Sequence, residues 1–239
     1  MESLADYQRL SKTTWYSLVF ITPLVVIYEL LAVAINWGVP VELRNGADVL
    51  LRLLFEVFGL GATYVSAALL PLCLVLAWWW RKYFERDTGV NSNYLFVMAA
   101  ESLVWALMLL IMLTAVDELL IISTADTALQ TAFLAVGAGI YEETVFRLGL
   151  VSGLTLFLHR VMDWQRYLAV GGAIVGAAIL FSGFHYIGIL GKNFDWNSFA
   201  YRGVAGIMLG LLFVSRGLGI TVYAHTIYDL VVLWARTVS

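Results

Sequence analysis

The sequence has little charge and almost no cysteine. Charged residues make up 13% of the 239 residues and hydrophobic residues 62%, whereas soluble domains carry about 25% charge. A single globule in water cannot bury that much apolar surface, so the chain is expected to lie in a membrane. The one cysteine, Cys73, lies within an apolar run, which excludes a disulfide framework and a cysteine-based zinc site.

Basic residues are also scarce. The 14 Lys and Arg are outnumbered by 17 Asp and Glu and form no basic run, which argues against nucleic-acid binding. The only lysines, Lys12, Lys82 and Lys192, lie near or beyond the ends of apolar segments, so a Ser–Lys dyad within the membrane is not expected. The sequence also has no His-Glu-x-x-His zinc motif and no paired membrane aspartates.

Long apolar segments are abundant. A transmembrane helix needs about 20 mostly apolar residues. Windows of that length predict seven spans, at residues 14–37, 60–80, 94–116, 127–158, 168–190, 199–215 and 218–236. The predicted fold class is all-α, a polytopic bundle of about seven to eight transmembrane helices in a single membrane domain over residues 1–239.

A shorter amphipathic segment separates the first two spans. Within residues 45–58, Asp48, Arg52 and Glu56 recur at every fourth position among apolar residues. This spacing predicts a helix that lies in the membrane interface.

The distribution of Lys and Arg predicts the orientation of the bundle. With the N-terminus in the cytoplasm, the inner segments hold eight basic residues and the outer segments five, and Arg147 lies within a helix. We therefore expect a multi-pass protein of a prokaryotic plasma membrane with a cytoplasmic N-terminus. The first apolar stretch lacks a convincing cleavage site and is expected to be a retained anchor.

An ionisable side chain inside a predicted span raises the free energy of membrane insertion by about 2.5–3.5 kcal/mol. Each one therefore indicates a structural or functional role. Apart from Arg202 and Arg236, which lie within four residues of a span end, the predicted spans contain eight: Glu29, Glu101, Glu142, Glu143, Arg147, His185, His225 and Asp229. Six of the eight fall in the last half of the chain and form three short patterns.

The first pattern is Glu-Glu-Thr-Val-Phe-Arg at residues 142–147. Successive residues of an α-helix point about 100° apart, so the two carboxylates face different neighbours. Glu143 and Arg147 stand at i and i+4, which predicts an ion pair. Glu142 is left without a local cation and is available as a general base. The alternative is a buried structural ion pair with a spare acid that lines a wet cavity.

The other two patterns each contain a histidine. Phe181 and His185 are four residues apart near the end of the fifth span, and His225 and Asp229 share one face of the seventh. A lone membrane histidine is most often a hydrogen-bonding residue between helices. A neighbouring carboxylate orients an imidazole, or the two groups approach a water or a metal together. Across three helices, the set suits the activation of water inside a membrane.

The three patterns in this order resemble the CPBP family, which includes the CAAX prenyl endopeptidases and the bacteriocin-processing proteins also called Abi. The resemblance covers residues 127–234 and places a protease core at about 127–236. It implies an intramembrane endopeptidase of about eight helices around a polar cavity, which acts on a membrane-anchored or C-terminally processed protein substrate.

The resemblance also implies a role for each residue. Glu142 and His185 would activate the attacking water, and His225 with residue 229 would stabilise the oxyanion. Glu143 and Arg147 would hold the geometry of the site. The eukaryotic prenyl proteases carry Asn at the last position, whereas this chain has Asp229. An ionised Asp cannot donate a hydrogen bond, so Asp229 must be protonated, orient His225 or bind a metal.

Two mechanisms are open for this site. A metal-free glutamate mechanism is favoured, with no cofactor. The competing mechanism uses Glu142, His185 and His225 as the three ligands of a catalytic zinc, with water as the fourth.

Two other function classes remain open as well. One is a non-proteolytic immunity, chaperone or scaffold protein of the same fold. The other is a proton-coupled transporter, against which the lack of an inverted repeat argues.

Two further expectations concern residues outside the three patterns. Glu29 and Glu101 are expected to be structural partners, for Arg147 or for a helix-end amide. For His185 and His225 to meet, the turn near Gly217 is expected to be recessed into the protein.

Overall fold

The structure is a computed structural model that describes residues 4–38, 42–59, 62–84, 89–114, 127–187 and 193–237. All regular elements in these ranges are helical, which confirms the all-α fold class. In chain order they are α1 (Leu4–Leu10), α2 (Thr14–Asn36), α3 (Gly46–Val57), α4 (Ala62–Phe84), α5 (Ser92–Thr114), α6 (Ala128–Gly137), the π-helix π1 (Ala138–Val151), α7 (Ser152–Arg160), α8 (Arg166–Phe184), α9 (Trp196–Arg216) and α10 (Leu218–Thr237).

The long helices follow the predicted spans closely. The fourth predicted span is the continuous run of α6, π1 and α7, and the others correspond to α2, α4, α5, α8, α9 and α10. α8 ends at Phe184, before the predicted end at residue 190, and α4 continues to Phe84, past the predicted end at residue 80. Residues 60, 61, 115, 116 and 188–190 of the predicted spans lie outside the described residues.

Four helices in the described ranges are long and apolar enough to cross a membrane. They are Thr14–Asn36, Ser92–Leu113, Arg166–Phe184 and Trp196–Arg216, and Leu218–Trp234 is a shorter apolar helix. These helices support an integral membrane protein. The predicted total of seven to eight spans is not confirmed and stays a prediction.

Side-chain caps begin several helices. Thr13 accepts a hydrogen bond from the backbone of α2, Asn45 does the same for α3, and Asp195 for α9. Thr127 and Gln130 form a reciprocal capping box at the start of α6. Each cap satisfies backbone N–H groups that have no partner within the helix, which fixes where the helix starts.

The last helix lies at the centre of the bundle. α10 packs against α2, α5, α6, α9 and π1, and its Ile220 and Val222 are completely buried. On the outer faces of the bundle large apolar side chains stay exposed, such as Phe96 at 75% and Ile111 at 68%. Such extensive apolar exposure is typical of a surface that contacts lipid.

A single residue, Gly217, connects α9 to α10. It adopts φ +84°, and a Cβ there would lie 3.1 Å from the Cα of Lys12. Leu218 and Gly219, which follow it, are buried. The turn therefore packs closely against the N-terminal segment at Lys12. That it is recessed into the protein stays a prediction.

Candidate active site

The two adjacent glutamates lie in π1, where backbone N–H groups bond to carbonyls five residues back. The bond from Ser152 N–H to the Arg147 carbonyl is one example. Here the structure differs from the α-helix assumed in the sequence analysis. π-Helical segments are frequent at functional sites. Glu142 is 7% exposed and Glu143 is completely buried.

A glycine in the first turn of π1 allows α10 to come close. A Cβ on Gly139 would lie 1.9 Å from Thr226 Oγ1 and 2.8 Å from the Val222 carbonyl oxygen. Any larger residue would push the two helices apart. The close approach brings His225, the neighbour of Thr226, against Glu143.

The Glu143 carboxylate has two partners. Its Oε1 lies 3.0 Å from Arg147 Nη1, the ion pair that the spacing predicted, and 2.7 Å from His225 Nδ1. The contact with His225 was not predicted. Because an ionised carboxylate only accepts, Nδ1 is the nitrogen that carries the proton. The other ring nitrogen, Nε2, lies 3.6 Å from Asp229 Oδ2, which is too long for a direct hydrogen bond.

Glu142 faces a different set of neighbours. Its Oε1 accepts a hydrogen bond of 3.2 Å from Asn45 Nδ2. Its carboxylate also interacts electrostatically with His185, His225 and Arg147. Glu142 is thus within electrostatic range of both histidines, and their direct participation in one site stays a prediction. The hydrogen bond from Asn45 is a new finding, because the sequence predicts for this residue only the start of an interfacial helix.

His185 lies directly after the last residue of α8, and its Nδ1 lies 2.9 Å from the Phe181 carbonyl oxygen. A carbonyl oxygen only accepts, so Nδ1 donates and a neutral ring keeps its lone pair on Nε2. The Phe181 ring lies 5.0 Å from the His185 ring and 6.5 Å from the His225 ring, measured between centroids. The Arg147 guanidinium lies over the same ring, 4.5 Å from its centroid. Phe181 thus packs between the side chains of all three patterns.

A comparison with protein families matches this region of the chain. The model of the type II CAAX prenyl endopeptidase Rce1-like family matches residues 100–231, more than half of the sequence. The chain belongs to this family. Searches of curated proteins and of solved structures found no match. The resemblance drawn from the three sequence patterns is thereby confirmed.

Membership in the Rce1-like family establishes the activity at a coarse level, as that of a CAAX-type intramembrane protease with a membrane-associated protein substrate. The matched residues include all three sequence patterns. Asn45, which contacts Glu142, lies outside the match. The site of this Rce1-like protein therefore draws on a part of the chain that the family comparison does not cover.

The predicted zinc ligands of the Rce1-like protein do not form a metal-binding group. Among the described residues, no cluster of three or more His, Cys, Asp or Glu side chains could hold a metal ion. In His225 the Nδ1 atom is engaged by Glu143 and in His185 by a carbonyl, which leaves Nε2 of each ring as the nitrogen that could bind a metal. As placed, Glu142, His185 and His225 do not form a group that could hold a metal ion.

A second buried polar cluster supports the start of α3 in the Rce1-like protein. Asp48 is completely buried and accepts hydrogen bonds from Tyr28 at 2.9 Å, Arg44 at 3.2 Å and Arg52 at 2.9 Å. The helix predicted at residues 45–58 is present. Its Asp48, however, points into the protein, because Tyr28 of α2 and two arginines supply enough donors to satisfy a buried carboxylate.

The two remaining membrane glutamates pair with residues other than Arg147. Glu101 pairs with Arg216. Glu29 accepts from the Tyr141 hydroxyl at 3.2 Å and lies 3.8 Å from Arg44. The prediction of Arg147 as their partner was wrong, because Arg147 pairs with Glu143, four residues before it in the same helix.

Proposed function

We propose that this protein is an intramembrane endopeptidase that hydrolyses a peptide bond of a membrane-associated protein with a water activated by Glu142 and His185. One observation carries the proposal. Of the two buried glutamates, Glu143 pairs with Arg147 and His225. Glu142 accepts a single side-chain hydrogen bond among the described residues, from an amide, and is within electrostatic range of both histidines.

The first step is the attack of water on the substrate carbonyl. Glu142 takes a proton from the water as its oxygen forms a bond to the carbonyl carbon. The lone pair on His185 Nε2 accepts the second hydrogen bond of the water and so orients it. Burial of the site keeps bulk water away and strengthens these interactions.

The second step is the collapse of the tetrahedral intermediate. His225 is held by Glu143 through Nδ1, and its protonated form directs an N–H at Nε2 toward the oxyanion. A donor of this kind contributes about 2.7–4 kcal/mol. The C–N bond then breaks, and the proton held by Glu142 passes to the leaving amine. Asp229 orients the His225 ring from the Nε2 side, at 3.6 Å.

The proposed mechanism is metal-free. It uses Glu142 as the base and Nε2 of each histidine, because Nδ1 is engaged by Glu143 in His225 and by a carbonyl in His185. Zinc analysis of the purified protein tests it, before and after treatment with a chelator. Full activity without zinc is expected, and stoichiometric zinc that is lost together with activity would overturn it.

We further propose that the N-terminus is cytoplasmic and that the protein resides in a prokaryotic plasma membrane. Several of the basic residues assigned to the inner side lie at one end of the bundle, where Arg81 packs over Trp15 and Arg216 reaches Ser11. Reporters that are active on only one side of the membrane, inserted between α4 and α5, test the orientation. A signal from the outer side would contradict it.

The proteolytic function is tested by comparing membrane peptidomes of cells that carry the wild type, Glu142→Ala or His185→Ala. Fragments present with the wild type and absent with both variants are expected. Equal processing in all three strains would overturn the proposal and leave a scaffold or chaperone role. A synthetic peptide that spans the cleaved bond, made with and without a farnesyl group and placed in lipid vesicles, then serves as the reporter peptide for kinetics and shows whether a prenyl group is needed.

A further inference from the structure

We propose that Asn45 is a positioning residue that holds the Glu142 carboxylate in the orientation needed to activate water. The inference rests on the proposed function of Glu142. It extends the active site to the α2–α3 corner, which precedes the family-matched residues 100–231. Three features of the structure support it, and they are independent of one another.

The first feature is the orientation of the Asn45 amide. Its Oδ1 accepts a hydrogen bond of 2.8 Å from Ala47 N–H, the cap of α3. An asparagine amide has one acceptor oxygen and one donor nitrogen, so the cap determines which atom faces elsewhere. The Nδ2 group therefore points at Glu142 Oε1, at 3.2 Å. A donor on one carboxylate oxygen fixes the rotation of the carboxylate and hence the direction of the other oxygen.

The second feature is the rigidity of the residue that donates. Asn45 is 8% exposed, and its backbone N–H is 3.5 Å from the Tyr28 hydroxyl. That hydroxyl donates to Asp48, which is held in turn by Arg44 and Arg52. The satisfied buried network anchors the first turn of α3 against α2, so the amide is presented from a fixed backbone rather than from a mobile loop.

The third feature is the close approach that Gly137 permits. A Cβ at this position would lie 2.6 Å from Tyr28 Cε2 and 2.9 Å from Asn45 Cβ. Both contacts involve parts of the side chains that cannot swing away. Gly137 thus lets the α3 corner contact the helix that carries Glu142, as Gly139 does for α10 on the other side.

The test uses Asn45→Ser, which keeps a capping oxygen but lacks the amide donor. With the reporter peptide, kcat is expected to fall by about 10- to 100-fold, because a misplaced base loses roughly that much rate. KM and the melting temperature are expected to stay at the wild-type values. Asn45→Asp also keeps the cap and places a second carboxylate beside Glu142, so its kcat is expected to fall further.

Asn91 offers a matched control. Its Oδ1 accepts from Asn93 N–H at 2.9 Å in a similar cap at the start of α5, so Asn91→Ser changes the same chemistry at a helix start outside the site and is expected to keep full activity. Wild-type kcat in Asn45→Ser, with Glu142→Gln inactive, would overturn this inference alone. Loss of melting temperature in proportion to activity in Asn45→Ser would show a purely structural residue and overturn it too. An active Glu142→Gln would instead overturn the proposed function.

Discussion

Two glutamates on helices of this protein, the half-buried Glu101 and the buried Glu142, have very different surroundings. Glu101 accepts from both sides of the Arg216 guanidinium, at 2.5 and 2.7 Å, and also from Tyr7 and Trp105. Glu142 accepts one side-chain hydrogen bond within the described part of the chain, from Asn45. Both lie within an apolar bundle, but only one of the two carboxylates is saturated with donors.

The saturated carboxylate is typical of a structural ion pair. Burial and the Glu101 carboxylate raise the pKa of the Tyr7 hydroxyl, which therefore remains a donor across the physiological range. Every donor around Glu101 is fixed, and a water that approached it would have to displace one. Glu142 accepts a single side-chain hydrogen bond in the described part of the chain and is within electrostatic range of two imidazoles. The number of fixed donors thus distinguishes a carboxylate that stabilises the fold from one that can act in chemistry.

The sharpest test of the comparison replaces each glutamate with the isosteric amide. Glu142→Gln is expected to lower kcat by about 10²–10⁴-fold, the contribution of a positioned general base, with little change in melting temperature. Glu101→Gln is expected to lower the melting temperature and leave kcat near the wild-type value. Turnover of the reporter peptide and thermal unfolding in detergent check both. A lower kcat in Glu101→Gln together with a lower melting temperature in Glu142→Gln would contradict the comparison.

Glu143 is expected to affect both activity and stability. Glu143→Gln leaves Arg147 buried without its counter-charge, which costs about 3–5 kcal/mol, and removes the acceptor that orients His225. We expect a large loss of stability and a fall in kcat of roughly 100-fold. The double variant Glu143→Gln/Arg147→Met removes the unpaired charge, so unfolding measurements should show recovered stability without recovered activity. Recovery of both would mean that Glu143 acts only through Arg147.

Gly139 tests whether the approach of α10 matters for the site. Gly139→Ala introduces a Cβ that overlaps Thr226 Oγ1, so His225 is displaced from Glu143 and kcat is expected to fall by up to about 100-fold. Gly153→Ala is the control, because a Cβ at that position meets nothing within 4 Å. Turnover of the reporter peptide by the two variants is the measurement. Equal kcat values would show that the close approach of α10 to π1 is not needed for activity.

Asp229 is expected to give the smallest effect. Asn, the residue that the eukaryotic prenyl proteases carry at this position, has the same shape as Asp and adds a hydrogen-bond donor. The fall in kcat of Asp229→Asn, measured with the reporter peptide, should therefore be much smaller than the 10²–10³-fold fall that removal of an oxyanion donor causes. A fall in kcat of that full size would show that the negative charge next to His225 Nε2 is required.

The helices were predictable from the sequence because the bilayer demands apolar stretches of nearly fixed length. All seven predicted spans have a helix at the expected place. The π-helical geometry of Ala138–Val151 was not predictable, since the apolar pattern is compatible with bonding to the fourth or the fifth residue. α1 was missed because seven mixed residues give no periodic signal.

The charged part of the site was predictable for a related reason. Ionisable groups stand out in an apolar sequence, so Glu142, His185 and His225 were found from composition and spacing. Asn45 carries no charge and is 97 residues from its partner, so only the fold reveals the contact. In the sequence it is only the first residue of a predicted interfacial helix. The pairing of Glu143 with His225 was missed because it depends on the approach of α10 at Gly139.

Because only Gly217 separates α9 from α10, we expect the two helices to move together. With one residue between them, neither helix can slide along the other without unwinding a turn. Arg216, the last residue of α9, pairs with Glu101 and donates to Ser11. His225 lies in α10, seven residues beyond Leu218. The position of the imidazole along the bundle is consequently set at the start of α10, by contacts of Arg216 with α5 and with the residue that follows α1.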